Sequence, residues 1–364
     1  MVERGHQINT LNAGVAVPYN SLTIIIEATM TNTRPPAVEG TFTIHNFTFE
    51  SGETMPELRI GYVMYGTINA KRDNLCLVMP GTGNLRHSTL EHVGPGRAYD
   101  TDHYCVVCTD AIGGGTSSQP ADGLHERFPK YSIRDMVHAQ YLLARDGLGL
   151  GATTQVALLA GASMGAFQTL EWLIHYPDSV RNAVLLVPGW QANNTFKIAT
   201  ARMFDFIELD ANWQGGAYTV QPKAAQLAAG KHYFAWTVTD DYLETTDYAQ
   251  VQQEAQAAGD WFAHWDAMGI VRRYQASSQH DVTKPFGGDL KQALQRVRAK
   301  VLVLPCSQDR LLGVEGAKEL AQGIKHATYR EVDSNWGHLA WRPVVGSVQT
   351  NAVIKYVREF LGLA

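Results

Sequence analysis

Six short runs of apolar, often β-branched residues punctuate this chain, at 75–78, 104–109, 156–160, 183–187, 301–304 and 328–332. Most are apolar at every position rather than at alternate ones. A strand with one wet face alternates; a strand that is apolar throughout must be covered on both faces, as in a parallel sheet with helices above and below. Helical patterning fills several of the gaps. Ile133, Met136, Val137, Tyr141 and Ala144 recur at helical spacing up to Gly147, and Phe167, Leu170 and Ile174 do so ahead of Pro177. Upstream, 43–65 alternates as antiparallel strands do. The expected fold is α/β, a mostly parallel, doubly wound sheet with an antiparallel edge.

The strand–helix rhythm stops near Pro188-Gly189 and resumes near Val301. The stretch between is helical in tone, Ala/Gln-rich around 248–258, and dense in aromatics such as Tyr233, Phe234, Trp261 and Phe262. It reads as a helical cap, 190–286, inserted into a core formed by 37–189 and 287–364. Most of its aromatics are expected to pack the cap, with a few lining a pocket beneath it. Residues 1–36 read as an N-terminal extension, either loosely ordered or an arm packed on something else.

Composition narrows the function classes. The 364 residues are 45% hydrophobic and 18% charged, with a net charge of -5 and no long run of one sign. That argues against a nucleic-acid or membrane-surface partner. No apolar stretch approaches the roughly 18 residues of a membrane span. The run 22–26 is too short for a signal-peptide core, so the expected compartment is the cytoplasm. Cys105 and Cys108 have C-x-x-C spacing, but residues three apart on a strand face opposite ways and no second pair follows. All four cysteines are expected to be buried structural thiols. The 13 histidines show no paired ligand spacing, so no metal is expected.

Gly161-Ala162-Ser163-Met164-Gly165 follows the apolar run 156–160 and opens a helical pattern. A serine on so tight a strand-to-helix turn is pushed out of the sheet, and small neighbours let the backbone take the strained angles. The plain alternative is a helix cap. A nucleophilic serine needs a base, and the base needs an orienting acid. The expected chain order is Ser, Asp, His, each just after a strand. Asp309 ends the run 301–304 and His338 follows 328–332, both on the edge that carries Ser163. Asp333 is the second candidate acid, but it lies too near His338 in sequence to reach the ring easily. The oxyanion amides are expected from Met164 and from the loop after the first of the six runs, Gly81 before Thr82. Gly113-Gly114-Gly115-Thr116-Ser117-Ser118 lacks the Lys of a phosphate loop and reads as a mobile loop near the site.

These residues resemble the homoserine O-acetyltransferase (MetX-like) group of the α/β-hydrolase superfamily, from about Phe42 to the C-terminus. The stretches that carry the resemblance are Gly94-Pro95-Gly96-Arg97 through Asp102, Ser132-Ile133-Arg134-Asp135, the serine turn with Gln168-Thr169-Leu170-Glu171-Trp172, Asn212-Trp213-Gln214-Gly215-Gly216, and Asp333-Ser334 with Gly337-His338. The resemblance places the triad on Ser163, Asp309 and His338 and implies a dimer through the cap. It also implies an Asp after the histidine for the acceptor's amine and a cap Arg for its carboxylate. Here those positions are Leu339 and, by spacing, Phe204, with Arg202 two residues away. Phe204, Leu339 and Trp336 are therefore the substrate-pocket candidates. Homoserine is not the expected acceptor, because its ammonium would find no partner. The expectation is a serine acyl hydrolase acting on a small ester or thioester, with no bound cofactor. The alternatives are an O-acyltransferase using acetyl-CoA as co-substrate and an acceptor other than homoserine, and a non-catalytic binding protein on the same scaffold.

Overall fold

The computed structural model describes residues 34–151 and 155–363. The expected N-terminal extension lies, up to residue 33, outside the described residues. Two long strands open the fold, β1 (Ala37–Thr48) and β2 (Thr54–Tyr65), paired antiparallel from Ala37 opposite Tyr65 to Thr48 opposite Thr54. Then come β3 (Leu75–Met79), β4 (Cys105–Thr109), α1 (Ile133–Leu142), β5 (Val156–Ala162), α2 (Met164–His175) and β6 (Val180–Leu186). The sheet runs β1-β2-β4-β3-β5-β6, then two later strands, β7 (Lys300–Leu304) and β8 (Ala327–Tyr329). Every pair from β4 onward is parallel.

The fully apolar runs divide between the two faces with a period of two. Leu75, Leu77 and Met79 pack into the core that holds Met136 and Val137 of α1 and Phe167 and Leu170 of α2. Cys76 and Val78 point the other way, toward Val353 and Val357 of a C-terminal helix. Burying a side chain such as Leu77, which is 0% exposed, contributes about 2 kcal/mol by transfer alone. The doubly wound sheet follows from that two-sided demand. The last strand is shorter than the run at 328–332 suggests. Val332 returns only as an isolated bridge to Cys306, because β8 is an edge strand with partly exposed residues.

After β6 the chain inserts the helices of the cap: α3 (Asn194–Leu209), α4 (Lys223–Thr237), α5 (Asp240–Thr245), α6 (Tyr248–His264) and α7 (Ala267–Ser278). Asn193, Thr239, Asp247 and Asp266 start α3, α5, α6 and α7 by accepting hydrogen bonds from first-turn amides. α4 and α6 cross through two glycines. A Cβ on Gly230 would lie 2.6 Å from the Ala258 carbonyl oxygen, and one on Gly259 would lie 2.7 Å from that of Leu227. α8 (Leu290–Leu294) precedes β7, α9 (Glu315–Gly323) precedes β8, and α10 (Val348–Leu361) closes the chain, covering the face lined by Cys76 and Val78. Among the described residues, no helix is long and apolar enough to cross a membrane.

Candidate active site

β5 delivers Ser163 at the centre of the sheet, between β3 and β6. Its backbone sits at φ 56 and ψ -119, a region a non-glycine residue enters at a cost of order 1–3 kcal/mol. The neighbouring glycines are sterically required. A Cβ on Gly161 would stand 2.2 Å from the Gly165 carbonyl oxygen, and one on Gly165 would stand 2.4 Å from that of Met79. The Ser163 amide donates to the Leu186 carbonyl at 3.0 Å, which ties the turn to β6. The serine side chain accepts no capping bond, so the helix-cap reading fails.

The structure brings Ser163, His338 and Asp309 into one line. The His338 ring is 2.8 Å through Nε2 from Ser163 Oγ and 2.8 Å through Nδ1 from Asp309 Oδ2. With a carboxylate at Nδ1, that nitrogen carries the proton. Nε2 then accepts from the serine hydroxyl. The other Asp309 oxygen, Oδ1, accepts the Leu311 and Leu312 amides at 2.8 and 3.1 Å. All three residues are buried. Asp333, the second candidate acid, is exposed and accepts a hydrogen bond from Ser307 Oγ at 2.9 Å, away from the ring.

The amides expected as oxyanion donors lie at the start of α2 and in the loop after β3. Met164 is the first residue of α2, where helix amides have no intrahelical partner. The loop after β3 reaches the same site: Gln168 of α2 donates to the Pro80 carbonyl at 3.1 Å, and Gly81 lies against the Ala162 carbonyl. Thr82 lines the cleft beside Ser163, one residue beyond Gly81.

That cleft has about 50 Å³ of free space above Ser163 and His338. Its walls come from α4, α6 and α7, with Tyr233, Phe234, Phe262 and Tyr274 the large ones, and Leu339 lies beside the histidine. None of its lining residues is acidic, and Arg342 is its one cation. Two of the substrate-pocket candidates lie outside this lining. Phe204 is half-buried in the main core on α3, which packs behind α4 and α7 and contributes no lining residue. Trp336 is not among the lining residues; it packs, as Leu339 does, on the small cluster of Phe234, Val238 and Tyr242. Thr237, Tyr274 and Arg342 were not foreseen. Arg342 follows a short turn, Gly337–Trp341, with no periodicity to give its direction.

The glycine-rich stretch after β4 is packed rather than loose. A Cβ on Gly113 would fall 2.1 Å from Tyr131 Oη, one on Gly114 2.5 Å from the Trp265 ring, and one on Gly115 2.1 Å from Asp110 Oδ2. Ser117 Oγ accepts from the Gly61 amide and donates to the Asp110 carbonyl. All four cysteines are buried and free, and burial pushes the Cys108 thiol up to about 12. No three His, Cys, Asp or Glu side chains gather as metal ligands would among the described residues.

Behind His338, fully buried His92 is 2.9 Å through Nε2 from the Trp341 carbonyl and holds the turn that carries the His338 ring. Burial pushes its pKa down from 6.5 to about 4. Between those values the unfolded chain takes up a proton that the folded one refuses. The stabilisation is therefore complete above pH 6.5 and is lost as pH falls through about 4. The loss is roughly 3 kcal/mol at ~1.4 kcal/mol per pH unit. Urea midpoints at pH 7 and pH 4.5 are expected to fall further for the native protein than for His92→Gln. Equal falls would remove His92 as a source of acid lability.

This sheet, with its strained serine at the central turn, defines an enzyme of the α/β-hydrolase type. Residues 79–341 match the family model described as the alpha/beta hydrolase fold. A homoserine O-acetyltransferase from Mycolicibacterium paratuberculosis is 30% identical, over 88% of this chain and 89% of the relative. An ethyl acetate hydrolase from Pseudomonas veronii is 29% identical, over 80% and 86%. Among solved structures, the acetyl esterase MekB superposes with a TM-score of 0.82 at 26% identity, over 89% of this chain and 97% of that one. The homoserine O-acetyltransferase of Bacillus anthracis shares the fold, with a TM-score of 0.78 at 24% identity over 89% and 97%. The chain belongs to the α/β-hydrolase fold family and is a divergent member of its homoserine O-acetyltransferase-like branch.

Proposed function

We propose that this enzyme hydrolyses esters of short acyl groups through an acyl-enzyme on Ser163. Ser163 Oγ attacks the acyl carbonyl while His338 Nε2 takes its proton. His338 returns that proton to the departing alcohol as the C–O bond breaks. Water then attacks the acyl-serine, again losing a proton to His338, and the acid leaves as Ser163 regains its hydroxyl. Asp309 keeps the imidazole in the tautomer this requires. The Met164 amide and an amide from Gly81 or Thr82 receive the negative charge that develops on the carbonyl oxygen.

The observation that carries the reading is the cleft lining: Leu339 beside the base, aromatic walls, and no carboxylate. An amino-acid acceptor's ammonium would be desolvated there without a partner, at a cost of several kcal/mol. Water and uncharged alcohols pay no such penalty. The ester named for the Pseudomonas veronii relative, ethyl acetate, supports a short acyl group. The relatedness to homoserine O-acetyltransferases supports a second reading, transfer from acetyl-CoA to an acceptor other than homoserine. A homodimer through the cap is part of the same family-based proposal.

The test is CoA release from acetyl-CoA with and without L-homoserine, with products identified by mass, beside hydrolysis of aryl acetates. The native enzyme is expected to cleave aryl acetates and to show no homoserine dependence. Leu339→Asp is expected to create one, on the order of tenfold, by giving the ammonium a counter-charge. Phe204→Arg is expected to add nothing to it, since Phe204 does not line the cleft. O-acetylhomoserine from the native enzyme would return the chain to the transferase activity of its relatives.

A further inference from the structure

Arg273 of α7 is fully buried, 0% exposed, in a protein whose other charges are mostly wet. No carboxylate pairs with it among the described residues. Its guanidinium donates to the Asn84 carbonyl at 3.1 Å and, at a long 3.4 Å, to the Gly81 carbonyl, and it lies 4.9 Å over the Trp265 ring. Its Nε has no acceptor. A buried cation whose direct contacts are peptide oxygens and a ring face, with Asp110 acting on it only through space, costs several kcal/mol relative to an apolar side chain of similar shape. Stability alone therefore does not account for it.

Its acceptors give its purpose. The loop that follows β3, 81–84, is gripped along its length by the cap. Arg273 takes the two end carbonyls, Trp261 Nε1 donates to the Gly83 carbonyl at 2.7 Å, and Thr82 Oγ1 lies 3.3 Å from Ser277 Oγ. A planar trans peptide whose oxygen is held on one side presents its N–H on the other. Within the loop the Asn84 amide already donates to the Gly81 carbonyl at 3.1 Å, and the Arg273 contact adds a hold from the cap on that same oxygen, and so on the direction of the Thr82 N–H. It also limits rotation at Gly81, whose lack of a Cβ otherwise leaves its backbone freer than any other residue's. The glycine-rich stretch makes room for this clamp. A Cβ on Gly114 would lie 3.0 Å from Arg273 Nη1, and one on Gly113 would lie 3.0 Å from Arg273 Cγ.

We infer that Arg273 is a positioning residue: from the cap it clamps the Gly81–Asn84 loop so that the Thr82 amide faces the oxyanion formed at Ser163. The inference rests on the acyl-enzyme reading above. It makes the cap part of the catalytic machinery rather than a cover, since the donor loop belongs to the sheet and its clamp to α6 and α7.

The experiment compares an aryl acetate with its thionoacetate, whose sulfur is a poor hydrogen-bond acceptor, in the native enzyme, Arg273→Lys, Arg273→Met and Trp261→Phe. A well-aimed oxyanion site favours the oxygen ester, and a loosened one loses that preference. In Arg273→Met, kcat for the acetate is expected to fall about 100-fold, KM to stay within about twofold, and the oxygen-to-sulfur rate ratio to shrink about tenfold. Arg273→Lys is expected to be intermediate, and Trp261→Phe to shrink the ratio about threefold. Fluorophosphonate labelling of Ser163 and a cooperative melt report an intact fold in each variant. A folded, labelled Arg273→Met with the native ratio overturns the inference even if its kcat falls, because a merely structural arginine would slow both esters alike. Where Arg273→Met does not fold, a native ratio in Trp261→Phe overturns it. A native enzyme that takes no label overturns the acyl-enzyme reading itself, and this inference with it.

Discussion

Ser163→Ala is expected to lower ester turnover by about 10⁴- to 10⁶-fold while leaving the fold intact. The size of the effect comes from the chain of bonds that ends at this hydroxyl. In the proposed mechanism His338, oriented by Asp309, accepts the Ser163 proton 2.8 Å away, and without the hydroxyl neither partner has a nucleophile to activate. Stability is expected to change little. Oγ makes no hydrogen bond that supports the turn, and alanine fits the same space. Intact-mass analysis after a fluorophosphonate is the direct measurement, with one adduct on the native chain and none on Ser163→Ala. An alanine variant that kept ordinary activity on every ester the native enzyme cleaves would show that the nucleophile lies elsewhere.

The hydrogen-bonded line Ser163–His338–Asp309 was legible in the sequence because each member has a local marker. Ser163, Asp309 and His338 each follow a strand end, and strands buried on both faces are conspicuous as unbroken apolar runs. The sheet's geometry then brings them together without any further information. The cleft walls have no such marker. Which face of α4 or α7 looks into the cleft depends on how the cap helices roll over one another. That is set by contacts such as the Gly230–Gly259 crossing, between residues far apart in the chain. Spacing alone therefore pointed to Phe204, while Tyr274 and Thr237 occupy the wall.

The glycine-rich stretch was misread for the same reason. Glycines at 113–115 suit a loose loop as well as a crowded one. The bulky side chains that require them, Tyr131, Trp265 and Arg273, arrive from other elements. The adjacent Arg272-Arg273 pair, in a helix packed against the core, was the one available hint of a buried charge.

Asp309→Asn is expected to cost about 10³- to 10⁴-fold in kcat, through the proton rather than through packing. The amide has the same shape as the carboxylate, but its two ends are no longer equivalent. Leu311 and Leu312 both donate N–H bonds to Oδ1, so an asparagine must leave its carbonyl oxygen there or strand two buried amides. Its NH₂ group is then directed at His338 Nδ1. A donor at that nitrogen requires Nδ1 to be the bare one, which moves the ring proton to Nε2, facing Ser163 Oγ. An imidazole in that tautomer cannot accept the serine proton. The loss is expected in acylation and deacylation alike, because both pass a proton to the same nitrogen. Pre-steady-state acetylation by an aryl acetate separates the two steps, and the thermal midpoint is expected to move by only a few degrees, since the hydrogen bonds are kept in number. Hydroxylamine or another strong nucleophile is expected to rescue deacylation more than acylation, because it needs less base assistance than water. An Asp309→Asn enzyme within tenfold of native turnover would remove Asp309 as the orienting acid and reopen the search among the other carboxylates on this edge of the sheet, beginning with Asp333.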